Sequence, residues 1–313
     1  MPKISDNKNS FHILLYHGVH GDDVVLEGRN SSGKHISATR FRNQIKWLAA
    51  NKQVVSMAAI AKAYRESGDL PEGAVAVTFD DGFLNNYTNA WPVLEAHNVP
   101  ATIYLATGFI GTGRMIWSDI LEANLLGAKV DDIALDFPGE RLRWPLATID
   151  ERVAAFLKIK ELCKRLPIDT KDGVVNQVSS LSGATVGSDH PLYAFMSWDD
   201  VRKMNASSLI DFGAHTVDHV SLAKASEDVM ASQIDGSVAA LEQNLGHPCH
   251  FFSYPEGQEA DYGASVIDYL KSRHFDHSPT AIDGVNTLGA VGPFEMKRMM
   301  VGFEDRAFPF ADL

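Results

Sequence analysis

Hydrophobic and polar positions along the chain form two alternating patterns. Short apolar runs between polar turns predict buried strands, and longer stretches with an apolar residue every three or four positions predict amphipathic helices. The predicted strands are 12–16, 53–56, 74–79, 101–106, 209–214 and 250–254, with weaker ones at 276–278 and 298–301. The predicted helices are 38–51, 57–67, 90–97, 198–206 and 226–245. Strands and helices that alternate in this way favour an α/β fold with a parallel sheet.

Two hydroxyl residues ahead of helical patterns are predicted N-caps. Thr39 precedes Phe41 in the first helix, and Ser197 precedes Trp198 in a later one. A Ser or Thr hydroxyl at this place accepts a hydrogen bond from a first-turn N–H group that has no partner within the helix.

The region 112–193 departs from the alternation. It opens with a helical pattern at 116–126 and continues through a turn-rich segment at 136–145. A long amphipathic helix follows at 149–166, and then a polar stretch rich in Ser and Gly. No flexible linker flanks the region. We therefore predict one domain over 1–313 that carries a mostly helical insertion at 112–193.

Composition and charge narrow the class of protein. Of the 313 residues, 45% are hydrophobic and 22% charged, as is ordinary for a globular enzyme. The net charge of −12 argues against a nucleic-acid partner and makes a strongly acidic polymer an awkward substrate. The sequence contains two cysteines, Cys163 and Cys249, which lie far apart along the chain and are expected to be reduced thiols. No apolar run approaches the ~20 residues that span a bilayer, and residues 1–10 are polar. With Met1 as the native start, we expect a cytoplasmic protein without a transmembrane segment.

The strongest candidate for chemistry is the segment Ala-Val-Ala-Val-Thr-Phe-Asp-Asp-Gly at 74–82. A buried strand that ends in Asp80 and Asp81 places two carboxylates at its C-terminal end, where α/β folds hold their active sites. Successive residues of a strand face opposite ways, so the two carboxylates can take different roles. Gly82 permits a sharp turn. Taken alone, the segment is equally consistent with a turn that caps the next helix.

A pair of histidines follows another predicted strand. The strand 209–214 runs directly into His215 and His219, four positions apart. This spacing can place both imidazoles on one side of a turn, which is a common geometry for a shared cation. Together with a carboxylate from another strand end, they would give three protein ligands and leave room for water or substrate, as in catalytic zinc sites.

These segments resemble the NodB-homology polysaccharide deacetylases, carbohydrate esterase family 4. The similarity lies in Thr-Phe-Asp-Asp-Gly at 78–82 and His-Thr-Val-Asp-His-Val-Ser-Leu at 215–222, with the flanking segments 99–105 and 196–200, and extends over roughly 11–110 and 195–302. The resemblance implies a distorted (β/α)7-type barrel.

The resemblance also implies roles for individual residues. Asp80 would be the general base, and Asp81, His215 and His219 would hold one divalent metal ion, zinc in the first place, with Co²⁺, Ni²⁺ or Mn²⁺ as alternatives. The family's third motif, of the type Arg-x-Pro-Tyr, is matched by Ser-Tyr-Pro-Glu-Gly at 253–257, which lacks the arginine.

The altered third motif still supplies candidates for substrate contact. Glu256 stands at a position that is aromatic in the family motif, so the contacts along the groove wall are expected to differ from those of the family. Tyr254 and Pro255 are kept as substrate and oxyanion residues, because a backbone N–H at Tyr254 could stabilise an oxyanion through its geometry alone.

The general acid has two candidates. The usual family histidine near the C-terminus lacks its expected pattern, although His277 lies in that region. Leu-Leu-Tyr-His-Gly-Val at 14–19 resembles the Tyr-His signature of a branch that includes the biofilm poly-N-acetylglucosamine deacetylases, where the histidine after the first strand is the acid. We therefore favour His17 over His277.

The predicted function is metal-dependent removal of an N-acetyl or other N-acyl group from an amino sugar. The expected substrate is nucleotide-linked, lipid-linked or polymeric, in O-antigen or capsule biosynthesis, and a homo-oligomer is left open. The polar loop 28–37 lies on the site side and is a candidate substrate contact. The alternatives are a related hydrolase of a non-sugar cyclic amide and a catalytically silent sugar-binding module.

Overall fold

The computed structural model describes residues 9–185, 187–302, 308–310 and 313, so most of the predicted polar N-terminal segment lies outside it. The strands are β1 Ser10–Tyr16, β2 Gly18–His20, β3 His35–Ser37, β4 Gln53–Val54, β5 Ala74–Phe79, β6 Ala101–Leu105, β7 Asp132–Phe137, β8 Glu140–Pro145, β9 Ile210–Ala214, β10 Asn286–Thr287 and β11 Met299–Met300. The α-helices are α1 Ala38–Asn51, α2 Met57–Glu66, α3 Trp91–His97, α4 Trp117–Leu126, α5 Ile149–Lys164, α6 Ile168–Leu181, α7 Trp198–Asn205, α8 Glu227–Leu245 and α9 Ala264–Ser272.

A mainly parallel sheet occupies the centre of the molecule. β1 pairs in parallel with β5, β5 with β6, and β6 with β9, while β11 lies parallel to β1 on its other side. β5 and β6 are buried at every position, as expected for strands of a parallel sheet covered by helices. The α/β class predicted from the sequence is confirmed.

Irregular segments close this sheet into a ring. Isolated bridges join β9 to the segment 251–252 and that segment to His277. The N–H of Thr280 then donates to the carbonyl of Met296, a few residues before β11. The ring therefore runs from β11 through β1, β5, β6 and β9, then through 251–252 and 277–280, and back to β11. These are the seven positions of the predicted distorted barrel.

The two weaker strand predictions, and the strand predicted at 250–254, correspond to the irregular part of this ring. The segments 250–254 and 276–278 form isolated bridges instead of regular strands, and 298–301 is shortened to β11. Pairing cannot extend past Tyr254, because Pro255 has no backbone N–H and Glu256 has a left-handed φ of 61°.

The predicted helices are present, with bounds that differ by at most one residue at each end, except that the helix predicted at 149–166 ends at Lys164. Ser37 caps α1 by accepting a hydrogen bond from the N–H of Arg40, so the prediction of Thr39 as the N-cap is wrong. The Thr39 hydroxyl donates to Asp22 instead. Ser197 is confirmed as an N-cap. The helix α9 was not predicted. None of the described helices is both long and apolar enough to cross a bilayer.

The region 112–193 contains a β-hairpin as well as helices. β7 and β8 pair antiparallel on either side of Gly139, which has a φ of 83°. The expectation of a mostly helical insertion is corrected in this respect, since the turn residues were recognised but the alternation on both sides of them was not. α6 was also missed, because its sequence is polar. Helices and hairpin share a separate apolar core, which includes Leu121, Leu125, Ile133, Leu135, Phe156, Ile159, Cys163 and Val178.

Candidate active site

The C-terminal ends of β1, β5 and β9 meet at one cavity. His17 follows β1, Asp80 and Asp81 follow β5, and His215 follows β9. All four line a cavity of about 170 Å³, together with His219. Parallel strands present their carboxyl ends at the same rim of a barrel, which is why residues distant in sequence meet here.

Asp81, His215 and His219 form a compact group of three ligand atoms. The Asp81 Oδ1 lies 3.3 Å from His219 Nε2 and 3.7 Å from His215 Nε2. Ligands that sit about 2.1 Å from one tetrahedral ion are themselves about 3.4 Å apart. No described residue donates a hydrogen bond to Asp81 Oδ1, although the atom is buried. The donor set and the orphaned oxygen therefore fit a divalent ion such as zinc.

The backbone and a neighbouring carbonyl fix the orientation of these ligands. The Nδ1–H of His215 donates to the Ser253 carbonyl at 2.8 Å, so its Nε2 is the nitrogen that faces the group. Asp81 has a left-handed φ of 77°, and Gly82 follows it with a φ of 93°. A Cβ on Gly82 would lie 2.7 Å from Leu105 Cδ2, so the turn predicted at this glycine depends on the absence of a side chain.

Asp80 is held by a buried arginine. The guanidinium of Arg298 donates to Asp80 Oδ1 at 2.8 Å and to Oδ2 at 2.7 Å, and it also donates to the Ser253 hydroxyl at 2.8 Å. The Arg298 side chain has no exposure to solvent. The sequence reasoning missed this residue. Arg298 directly precedes β11 and lies outside the segment 253–257, which lacks the arginine of the family motif. The only sequence signal for it was a charge at the start of a weak strand.

Burial and neighbouring charges set the protonation of these groups. Burial alone would raise the pKa of Asp80, but Arg298 outweighs it and the pKa lies below its ordinary value. Burial would likewise raise the pKa of Asp81, but the contact with His219 opposes it, and the pKa of Asp81 also lies below its ordinary value. Burial lowers the pKa of His215, whereas at His219 the contact with Asp81 outweighs burial and raises it. Both carboxylates are therefore anionic, as a metal ligand and a general base must be.

The two candidate acids occupy different environments. His17 lines the cavity. His277 does not belong to its lining: its Nε2 is hydrogen-bonded to the Tyr104 hydroxyl at 2.8 Å, and its ring stacks on Phe251. Burial lowers the pKa of His17 to about 4 and that of His277 to about 3. The geometry favours His17, and its neutral ring must gain a proton before it can donate one.

The segment 253–257 reaches the site in an unexpected way. The Tyr254 side chain is buried, with its hydroxyl donating to the Phe294 carbonyl, and neither Tyr254 nor Pro255 lines the cavity. Glu256 and Gln258 line it instead. An oxyanion contact from the Tyr254 N–H stays a prediction, as does a substrate contact of Pro255.

Three lysines also line the cavity, and we call them the lysine wall: Lys34, Lys160 and Lys164. Lys34 belongs to the predicted substrate loop 28–37 and forms an ion pair with Asp119. Lys160 and Lys164 come from α5 of the insertion, and Lys164 pairs with Glu256 at 2.8 Å. The sequence reasoning did not single out the α5 lysines, because nothing in a solvated helical pattern distinguishes them from surface residues.

Comparison with known protein families agrees with the site geometry. The sequence profile of the polysaccharide deacetylase family matches residues 67–136 and 172–275, more than half of the chain. The unmatched stretch between these blocks, 137–171, lies inside the predicted insertion and includes α5.

Curated relatives match over shorter stretches. A poly-β-1,6-N-acetyl-D-glucosamine N-deacetylase of Staphylococcus epidermidis is 35% identical over 135 residues, which cover 41% of this chain and 45% of that protein. One of Escherichia coli strain K12 is 38% identical over 94 residues, which cover 30% of this chain and 13% of that protein. The chain thus matches less than half the length of these relatives.

Solved structures share the fold. The deacetylase PplD of Streptococcus pyogenes, in complex with acetate, superposes with a TM-score of 0.61 and 16% identity, covering 95% of this chain and 94% of that one. IcaB of Ammonifex degensii gives a TM-score of 0.58 and 21% identity, covering 93% of this chain and 91% of that one. At these identities the similarity concerns the fold alone.

Proposed function

Because the chain belongs to the polysaccharide deacetylase family, we propose that it removes the N-acyl group of an amino sugar in a metal-dependent hydrolysis. The observation that carries the proposal is the meeting of Asp80, Asp81, His17, His215 and His219 at one cavity. The curated relatives act, by their names, on poly-β-1,6-N-acetyl-D-glucosamine, which makes an acetamido sugar the first substrate to test.

Asp81, His215 and His219 would hold the metal ion. A divalent ion supplies a Lewis acid that lowers the pKa of a coordinated water and polarises the acyl oxygen. Asp80 takes the proton of the attacking water, and Arg298 holds this carboxylate ionised and in place. Water adds to the acyl carbon, the C–N bond breaks, and the products are a carboxylate and a free amino sugar.

His17 is the group that protonates the leaving nitrogen. Its ring is neutral near pH 7 because burial lowers its pKa to about 4. The proton removed by Asp80 therefore has to reach His17 before the amine departs. Asp80 and Asp81 both favour the charged ring and so offset part of the cost that burial imposes on the imidazolium. A backbone N–H at Tyr254 is the proposed oxyanion donor.

The deciding experiment combines metal content with product release. Zinc-loaded protein is assayed for acetate release from N-acetylglucosamine and from its β-1,6-linked oligomers, and for ring opening of a cyclic ureide, beside the variant Asp80→Asn. We expect the wild type to release acetate from an acetamido sugar and the variant to lose about 10²–10⁴-fold in turnover while it keeps its zinc. The exposed Asp228→Asn, which makes the same chemical change on α8, is the control.

Other outcomes identify the alternatives. Ring opening of the ureide without acetate release indicates a non-sugar amide hydrolase. Sugar binding without turnover of any compound indicates a silent binding module. The link to O-antigen or capsule assembly, the choice of zinc and the cytoplasmic location stay predictions.

A further inference from the structure

We propose that the cavity accepts an N-acylated amino sugar that carries a phosphate group, and that Lys160 and Lys164 of α5 bind this phosphate. The inference rests on the proposed function and names the substrate class. It concerns a side of the cavity that the unmatched stretch 137–171 supplies.

The position of the lysines is the first argument. Lys160 and Lys164 are four residues apart on α5 and therefore share one face of the helix. Both line the cavity that also contains Asp81 and His219. A substrate whose acyl group reaches the ligand group would thus place its remaining substituents next to two ammonium groups.

The electrostatic environment is the second argument. Lys160 lies beside the Ser32 hydroxyl at 3.4 Å and over the Phe156 ring at 5.5 Å. Burial first, and then the charges of Lys34 and Lys164, lower the pKa of Lys160 to about 8. Glu256 and Asp119 act on this pKa in the opposite direction, so an anion beside Lys160 would be attracted by three ammonium groups and repelled by two carboxylates.

The charge of the whole chain makes this local field informative. The protein carries a net charge of −12, yet three lysines line a single cavity. Lys34 forms an ion pair with Asp119 and Lys164 one with Glu256, so a bound phosphate would compete with these two carboxylates. A polymer that gains free amines during deacetylation would become cationic and would be repelled at the lysine wall. A phosphate is attracted by point charges of this kind.

A second cavity provides space for what the phosphate is attached to. It measures about 300 Å³ and shares Lys164, His219, Glu256 and Gln258 with the first. Trp117 and Lys171 line it further, with the Lys171 ammonium 5.3 Å from the centre of the Trp117 ring. The next group of the substrate, either a nucleoside or a further sugar, can occupy this space beyond the lysine wall.

Binding to the zinc-loaded protein tests the inference directly. Calorimetry compares N-acetylglucosamine 1-phosphate with N-acetylglucosamine and with its neutral β-1,6-linked trimer. We expect the phosphate ester to bind about ten- to a hundredfold more tightly than the neutral sugar, since hydrogen bonds to charged groups have this strength. The preference should decline as salt is raised.

Three variants assign the preference to Lys160. Lys160→Met should abolish most of it, and Lys160→Arg, which keeps the charge, should retain it. Lys158→Met removes an exposed lysine from the same helix and should leave it unchanged. A preference that survives when Lys160→Met is combined with Lys164→Met would come from other groups and would overturn the inference, as would tighter binding of the neutral trimer by the wild type.

A further ligand tests whether the phosphate of the substrate belongs to a nucleotide. Uridine diphosphate N-acetylglucosamine that binds more tightly than the 1-phosphate supports a nucleotide-linked substrate, and equal binding supports recognition of the phosphate only. Phosphate-dependent binding without acetate release from any compound would refute the proposed function and leave the phosphate site standing. Acetate release from neutral sugars without phosphate-dependent binding would support the proposed function and refute the phosphate site.

Discussion

The two sides of the cavity hold their side chains in different ways. On the barrel side, Asp80 and His215 follow buried strands and are fixed by buried hydrogen bonds from Arg298 and to Ser253. On the insertion side, Lys160 and Lys164 extend from one helix on long, flexible side chains. The family profile covers the barrel ligands and skips α5. We therefore propose that the barrel provides the chemistry and the insertion provides the choice of substrate.

The largest expected effect comes from removing a ligand on the barrel side. His215→Ala should lower turnover by about 10³-fold or more, because a metal ion contributes several kcal/mol to the stabilisation of the transition state. The loss should be the same factor for phosphorylated and neutral acetamido sugars. Assays of both substrates and of bound zinc check it. A loss confined to one substrate would break the division between the two sides.

The buried ion pair on the barrel side should matter more for stability than the one on the insertion side. Arg298→Met leaves Asp80 buried without its guanidinium and should cost about 3–5 kcal/mol in the free energy of unfolding. Lys164→Met breaks a partly exposed pair with Glu256 and should cost less than about 1 kcal/mol. Urea unfolding measures both. Adding Asp80→Asn to Arg298→Met should recover part of the loss, and an unchanged loss would contradict the pairing.

A fall in pH should destabilise the barrel, whose interior holds buried imidazoles, before it destabilises the apolar core of the insertion. The pKa of His277 is about 3 in the folded protein, below the ordinary 6.5, because burial disfavours the charged ring. The unfolded chain therefore binds more protons, and the stabilising contribution of a neutral His277 is lost as pH falls from 6.5 toward 3. Its share is about 2 kcal/mol between pH 6.5 and 5.

Unfolding of the metal-free protein at pH 7 and pH 5 measures this loss, and His277→Gln should reduce the difference by about that amount. Parallel losses in the wild type and the variant would show that His277 is not responsible. The pKa of His17 is also lowered, so a smaller acid sensitivity should remain in the variant.

The smallest effect separates two glycines with similar backbone angles. Gly139, in the insertion hairpin, has open space where a Cβ would lie, so Gly139→Ala should cost only the left-handed conformation, about 1–2 kcal/mol, and leave zinc affinity unchanged. Gly82→Ala adds a clash with Leu105 and should also weaken zinc binding, because Asp81 is its neighbour. Zinc titrations of both variants measure whether only Gly82→Ala lowers the zinc affinity. Equal zinc affinity in the two would remove the argument for a strained turn beside the ligand.

Local patterns in the sequence were sufficient for the α/β class and for the candidate residues at the strand ends, whereas the barrel and the roles of the residues came from the family resemblance. Continuous apolar runs predicted β5 and β9, and the polar residues directly after them were the ones that line the cavity. The bounds of the helices followed from their periodicity. The N-cap of α1 was misplaced because Ser37 and Thr39 are both suitable residues, and only the backbone geometry distinguishes them.

What the sequence did not reveal depends on contacts between distant segments. Arg298 contacts Asp80 across 218 positions, and no local pattern encodes that contact. The α5 lysines occupy ordinary positions of an amphipathic helix, and their role follows only from how the insertion packs against the barrel. The β7–β8 hairpin was missed for a different reason, since its strands are largely exposed and lack the apolar runs that mark the central sheet.

The closed ring of strands has a consequence for how deacetylase sequences are interpreted. Several strand ends of such a ring reach the same cavity, so a guanidinium beside the base can be delivered from more than one place in the linear order. In this chain it comes from Arg298, directly before β11, and not from the segment 253–257 that matches the family's third motif. A gap in a linear motif is therefore poor grounds for declaring such a barrel inactive until the whole rim has been inspected for a substitute.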